Sequence, residues 1–191
     1  MLTRQMRGSR RHRRCPCLPH LYAVTMSAVE PGHAPLSAPV SGPVSVRAVE
    51  PADYEGWAAL FRSYREFYLL APDEAVIKRV WGWINDETAE VHAFVAVAGG
   101  ELVGLAHYRR FARPSTGTIG IFLDDLFTSP TARGAGVGRE LLRELSTLAA
   151  NEGRSVVRWI TAEDNTRARR LYDSAATQTK WVTYDLAPGS L

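Results

Sequence analysis

Arg133-Gly134-Ala135-Gly136-Val137-Gly138 is the stretch of this 191-residue chain whose residue types and spacing most directly suggest chemistry. Glycines at alternate positions let a backbone approach an anion closely. The loop runs into an amphipathic segment, so its N–H groups lead to a helix N-terminus, where unpaired donors and the macrodipole favour negative charge. Arg133 and Arg139 add fixed positive charge at its two ends. Such a loop suits a phosphorylated ligand. It is not a Walker A loop, which needs Lys then Ser/Thr after the last glycine, where Arg139 and Glu140 stand here. A dinucleotide fingerprint places its glycines directly after the first strand of a βαβ unit. Here Ser129-Pro130-Thr131-Ala132 intervene and the loop comes late in the chain. A strand-to-helix turn that binds nothing stays open on this loop alone.

Two sets of polar residues flank the loop. Upstream, Leu123-Asp124-Asp125-Leu126-Phe127-Thr128-Ser129-Pro130 carries adjacent carboxylates in strand-like sequence. In an unbroken strand they point to opposite faces, so one is expected to face a cleft. Downstream, Asp164, Ala168, Leu171 and Tyr172 share a stripe of a short helix, turning the Tyr172 phenol toward the sheet, and Asn165 can cap that helix. Loop and flanks together resemble the Gcn5-related N-acetyltransferases (GNAT). Arg133 to Gly138 is similar to that family's Q/R-x-x-G-x-G/A loop, and Asn165, Ala168 and Tyr172 to its N-x-x-A-x-x-x-Y segment. The likeness spans residues 44–186 and is specific between 118 and 174. The LDDLF run most resembles the polyamine and small-amine branch.

The resemblance implies a set of roles. Arg133, Gly134, Ala135, Gly136, Val137, Gly138 and Arg139 would cradle the pyrophosphate of acetyl-CoA. Backbone groups of Leu126, Phe127 and Thr128 would pair with the pantetheine arm where the strand splays from its neighbour, with the Leu126 N–H serving the oxyanion. Tyr172 would donate to the coenzyme sulfur, and Asn165 would touch the pantetheine. An amine acceptor must also lose a proton, since its unperturbed pKa is about 10.4. By resemblance Asp124 is the base, working through water, although it is one methylene shorter than the glutamate usual there; Asp125 is left to bind a cationic acceptor. His107 and Glu163 are alternative bases. Tyr64, Tyr68, Trp81 and Trp83, with Asp86 and Glu87, suit an aromatic and acidic acceptor pocket, while the same spacing also suits a helix core. No metal is expected.

The expected function is acetyl-CoA-dependent transfer of an acetyl group directly to a primary amine of a small molecule, polyamine-like or amino-acid-like, in a ternary complex. The alternatives are a non-catalytic acyl-CoA-binding domain of the same fold, a protein-lysine or N-terminal acetyltransferase, and, remotely, a nucleic-acid-binding protein. A cytoplasmic homodimer is expected from the resemblance.

The elements that must position these groups follow from hydrophobic periodicity. Val44 to Val49 alternates as a strand. Pro51 and Asp53 open a helix with Tyr54, Trp57, Ala58, Phe61, Tyr64 and Tyr68 on one face, which Pro72 ends, and Asp73 caps a second helix through Ile84. His92 to Ala98, a Gly99-Gly100 turn and Leu102 to Ala112 form a hairpin. The LDDLF strand, the glycine loop and a helix to Asn151 come next, then a strand at Ser155 to Thr161, a helix at Asp164 to Ser174 and a closing strand at Trp181 to Leu186. The fold class is α/β: a GNAT-like mixed, splayed β-sheet with helices on both faces, in the order β-αα-βββ-α-β-α-β.

Composition bounds the rest. Residues 1–25 hold Arg4, Arg7, Arg10, Arg11, Arg13 and Arg14 with no acid, and residues 26–43 are rich in Pro, Ser, Ala and Gly. Neither piece buries enough apolar surface to offset chain entropy, so residues 1–43 are predicted to be a disordered tail before an N-acetyltransferase domain at 44–191. Residues 1–25 also fit an over-extended gene start, with Met26 as the beginning. Pro16, Pro19 and His20 interrupt any secretory signal. The full chain carries +3. Without the six arginines, 17 basic residues face 20 acids, so the domain is mildly acidic and its partner is not expected to be nucleic acid. Both cysteines, Cys15 and Cys17, lie in the tail, which excludes an acyl-cysteine intermediate in the domain. No apolar stretch is long enough for a membrane span.

Overall fold

The structure, a computed structural model, describes residues 42–190. The arginine-rich and Pro/Ser/Ala-rich tail expected before residue 44 lies almost wholly outside the described residues. The described residues form strands β1 (Ser45–Ala48), β2 (Val91–Ala98), β3 (Glu101–Arg113), β4 (Thr118–Thr128) and β5 (Val157–Arg158). The helices are α1 (Tyr54–Phe67), α2 (Glu74–Ile84), α3 (Val137–Asn151) and α4 (Thr166–Ala175). The strands lie in sequence order in one sheet, antiparallel except for the parallel β4–β5 pair.

Helix α1 starts after a 3-10 turn at Pro51–Asp53, where the Asp53 carboxylate accepts the Glu50 backbone N–H at 2.8 Å and pairs with Arg47. It stops at Phe67, five residues before Pro72, because the chain turns left-handed at Leu69 (φ 55°) and the Leu69 and Leu70 N–H groups bond back to Glu66 and Arg65. Asp73 caps α2 as expected, accepting from the N–H groups of Ala75 and Val76. The β2–β3 hairpin turns on Gly99 and Gly100, both with positive φ, the backbone a two-residue turn demands.

Alternate residues of the sheet feed two cores. On one face Trp57, Phe61 and Ile77 of α1 and α2 pack on Val95, Leu105 and Phe127. On the other, Val137, Leu141 and Leu145 of α3 pack on Phe94, Tyr108, Ile121 and Leu123. At about 25 cal/mol per Å² of apolar surface, each of these larger side chains contributes about 1.5–3 kcal/mol on burial. Helices therefore cover both faces, as expected.

The structure departs from expectation after α3. The strand predicted at 155–161 contracts to Val157–Arg158, and the closing strand at 181–186 does not form. Its alternating residues are exposed, Trp181 at 78% and Tyr184 at 88%. Alternation equips a segment for a pleated surface, but a strand holds only when it pairs, and among the described residues this one pairs with no strand.

Candidate functional site

Strand β4 organises the site through two irregularities. Its register with β3 slips between His107 and Tyr108: Asp125 faces His107 and Leu123 faces Tyr108, leaving Asp124 as the extra residue of a β-bulge. The bulge overturns the expectation that the two acids point to opposite sides. Asp124 Oδ1 reaches Arg109 Nε at 3.2 Å and Asp125 Oδ2 reaches His107 Nδ1 at 2.8 Å. Residues 107 and 109 share the β3 face that packs on α1, so both carboxylates lie on that side. On its other edge β4 pairs with β5 only at Ile121–Val157 and Phe122–Arg158. From Leu123 to Thr128 that edge has no strand partner among the described residues, so backbone groups of Leu126 and Thr128 are free of the β4–β5 ladder. This is the splay.

Past β4, a 3-10 turn at Pro130–Ala132 leads into the glycine loop. Gly134 and Gly136 have φ of 93° and 84°, a left-handed backbone that L side chains rarely adopt, and a Cβ on either would meet nothing within 4 Å. Gly136 is the N-cap of α3, and the first intrahelical bond runs from the Glu140 N–H to the Gly136 carbonyl. The N–H groups of Val137, Gly138 and Arg139 therefore point out of the helix start. Gly138 is different: a Cβ there would lie 3.0 Å from Leu171 Cδ2, so its lack of a side chain lets α4 close on α3. Arg133 flanks the loop. Burial, and then the Arg167 guanidinium, lower its pKa. Neither arginine has a carboxylate partner among the described residues. Two repelling cations beside outward N–H groups make a site for a polyanion, so the residues fit a nucleotide diphosphate. Arg139 is turned to α4, where it donates to Ser174 Oγ at 2.8 Å.

Helix α4 delivers Tyr172 to the sheet, as the stripe predicted. Its ring packs edge-on against Trp159 at 5.2 Å, and burial, with Tyr68 adding, pushes the phenol up to about 12. The hydroxyl therefore keeps its proton at neutral pH and remains a donor. Asn165 caps α4 by accepting the Ala168 N–H at 3.3 Å. The influence of Tyr68 also brings the C-terminal end of α1 to Tyr172, joining the two sides of the site.

On the acceptor side, burial raises the Asp124 carboxyl above its ordinary value against the pull of Arg109, with repulsion from Asp125 adding to the rise. The α1 aromatics run past these acids. Phe61 stands edge-on to His107 at 5.0 Å and stacks on Tyr64 at 6.0 Å; Tyr64 meets Tyr68 at 4.9 Å and Phe127 at 6.2 Å. Trp81 does not join this row. Its ring packs on Tyr54 and Trp57 at 5.3 and 5.0 Å, in the α1–α2 seam, and Trp83 is exposed. Asp86 is engaged by the N–H and hydroxyl of Thr88. A cleft of about 510 Å³ lies elsewhere, along Gly56, Ala59 and Ser63 of α1, and meets β4 only at Phe127.

Sequence reasoning missed Arg167 and Arg109. Arg167 stands two residues after Asn165 in an arginine-rich run that gives no sign of which side chain turns to the loop. Arg109 is found only through the bulge. Among the described residues, no group of three His, Cys, Asp or Glu is arranged for a metal and no helix is long and apolar enough to cross a membrane.

The model of the acetyltransferase (GNAT) family matches residues 57–176. The D-amino-acid N-acetyltransferase HPA3 of Saccharomyces cerevisiae is 29% identical over 147 residues, covering 76% of this chain and 91% of the relative. An uncharacterised N-acetyltransferase of Bacillus subtilis, YhfO, is 33% identical over 135 residues, covering 68% and 87%. Among solved structures, the aminoglycoside N-acetyltransferase AAC(6')-Iy in complex with CoA superposes with a TM-score of 0.65 at 18% identity, covering 80% of this chain and 99% of that one.

Proposed function

The chain belongs to the GNAT acetyltransferase family and is an acyltransferase, and from that premise we propose that it transfers the acetyl group of acetyl-CoA directly to a primary amine of a small, cationic molecule. The observation that carries this is the free edge of β4 from Leu123 to Thr128, flanked by the glycine loop, Tyr172 and two carboxylates. The polyamine-like and amino-acid-like classes are both retained, the second supported by the name of the yeast relative.

Arg133, Gly134, Ala135, Gly136, Val137, Gly138 and Arg139, with Arg167, hold the pyrophosphate, and backbone of Leu126 and Thr128 holds the pantetheine arm; the Phe127 backbone, expected there too, pairs with Leu105 of β3 instead. The bound co-substrate supplies an acetyl thioester. The Leu126 N–H donates to the acetyl oxygen as negative charge develops there. Tyr172, protonated at neutral pH, donates to the departing sulfur. Asp125 binds the acceptor ammonium beside Tyr64 and Tyr68, with Trp81 bracing Trp57 behind them. Asp124, whose carboxyl is pushed above its ordinary value by burial, takes the ammonium proton through water. The family resemblance alone supports a cytoplasmic homodimer.

Thiol release from acetyl-CoA, measured against spermidine, D-phenylalanine, tyramine and a lysine peptide, tests the reading. Saturable release with one or more of the free amines is expected. Release with the peptide alone overturns the small-molecule acceptor, and acetyl-CoA binding without release to any amine overturns the proposed transfer.

A further inference from the structure

A buried chain of hydrogen bonds ends on Asp125. Trp57 Nε1 lies 2.9 Å from His107 Nε2, and His107 Nδ1 lies 2.8 Å from Asp125 Oδ2. Trp57 is 0% and His107 1% exposed, while the Asp125 side chain keeps 24%. We propose that Trp57 and His107 are positioning residues for the acceptor: the indole fixes the imidazole tautomer that holds Asp125 as an oriented anion, and this leaves proton acceptance to Asp124. The inference rests on the reading that Asp125 binds the acceptor ammonium.

The direction of each bond follows from the donors available. An indole N–H can only donate. His107 Nε2 must therefore present its lone pair to Trp57, and the ring proton must sit on Nδ1, pointing at Asp125. The contact is a neutral donor on a carboxylate. Protonating Nε2 would set two N–H groups against each other inside a packed core, where Phe61 closes the imidazole's other side at 5.0 Å. The usual partnership, in which a carboxylate orients a histidine base, thus runs in reverse here. The histidine's lone pair is spent on the indole and its proton orients the carboxylate, which removes His107 from the candidate bases.

Asp125 Oδ1 has no hydrogen-bond partner among the described residues. A carboxylate pinned through one oxygen can direct the other at an ammonium without losing rotamer freedom on binding. The charged groups gathered here are Asp125 and Asp124 from β4 and Arg109 from β3, while α1 contributes the uncharged Trp57, Phe61 and Tyr64. With the imidazole in this tautomer, two carboxylates face one guanidinium. The remaining negative charge selects a cationic acceptor.

Nitrogen-15 NMR of the histidine rings at pH 8 tests the tautomer without any substrate, with His107→Asn used to assign the signal. Protonated Nδ1 and bare Nε2 are expected, and Trp57→Phe should shift the Nε2 signal, because that lone pair loses its donor while the Asp125 carboxylate still holds the proton on Nδ1. A native Nε2–H tautomer, or no change in Trp57→Phe, overturns the proposal. The kinetic arm uses spermidine or D-phenylalanine, whichever is turned over. Trp57→Phe and His107→Leu should each raise the amine KM roughly 10-fold or more, with kcat changed less and acetyl-CoA affinity kept. His107→Asn, which returns an N–H near the Nδ1 position, should recover most of the loss. Equal loss in the Leu and Asn variants, matched by equal falls in melting temperature, would reduce the pair to packing and overturn the positioning role. If neither amine is acetylated, the functional reading fails on its own terms while the NMR still decides the tautomer.

Discussion

On the α3 side of β4, the proposed cofactor site is built from backbone: outward N–H groups at a helix start, two left-handed glycines and, among the described residues, an unpaired strand edge. On the α1 side it is built from side chains whose charge depends on neighbours, with Asp124 pulled between burial and Arg109 and Asp125 held by a buried imidazole. The first kind of site is fixed once the chain has folded, because amide donors have no alternative protonation state. The second can be retuned by removing a single N–H. A feature common to many ligands, a diphosphate, suits the first. A variable amine suits the second.

Tyr172 stands where the two sides meet, so its loss should be the largest single effect. Tyr172→Phe keeps the ring against Trp159 and removes only the donor. Turnover should fall roughly 100- to 1000-fold, within the usual span for one acid–base group, with acetyl-CoA affinity nearly unchanged. Steady-state rates and calorimetry together decide this, and full activity in the variant would strip Tyr172 of its role as donor.

The two carboxylates separate the acceptor side from within. Asp124→Asn should lower kcat roughly 10- to 100-fold, whereas Asp125→Asn should act mainly on the amine KM. The native rate should fall as pH drops through the Asp124 pKa, which lies above the ordinary carboxylate value, and this limb should vanish in Asp124→Asn. Stability should show the opposite sign. A raised pKa means that the native state binds the proton more tightly than the unfolded chain, so ionising Asp124 costs stability as pH rises through that window. At neutral pH, Asp124→Asn should therefore melt no lower than the native protein. A larger kcat loss at Asp125 than at Asp124 would exchange their roles.

What could be read in advance follows the same division. The glycine loop, its helix and Tyr172 were legible because each is encoded by neighbours a few residues apart, where 3.6-residue periodicity and turn chemistry operate. The two-sided helix packing was legible for the same reason. Trp57, His107 and Asp125 are separated by 50 and 18 residues, and nothing local marks them as one unit. The shared face of the two acids was hidden by the bulge, since a one-residue slip reverses every facing and leaves no composition signal. Spacing alone does not place Trp81, because an aromatic at helical spacing packs a seam, as its ring does against Tyr54 and Trp57, as readily as it lines a pocket. The closing strand failed because alternation specifies a surface but not a partner.

The glycine loop gives the smallest effect, and the one that tests the backbone side most directly. Gly136 and Gly138 look equivalent in sequence, but their surroundings differ. At Gly136 a new side chain meets open space yet must adopt φ 84°, at about 1–2 kcal/mol of strain, which for a domain of this size is a fall in melting temperature of roughly 2–8 °C. At Gly138 the backbone is unstrained, but a Cβ starts 3.0 Å from Leu171, so a larger group must displace α4. Gly136→Val should thus weaken acetyl-CoA binding roughly 10-fold, about 1.4 kcal/mol, in a protein that still folds. Gly138→Val should lower the melting temperature by a similar or greater amount and lower kcat as well, because displacing Leu171 also displaces Tyr172. Isothermal calorimetry and thermal melts on the two variants make the comparison. Native affinity in Gly136→Val would remove the loop from the cofactor site. A native melting temperature and turnover in Gly138→Val would show that α4 can shift without carrying the phenol out of place.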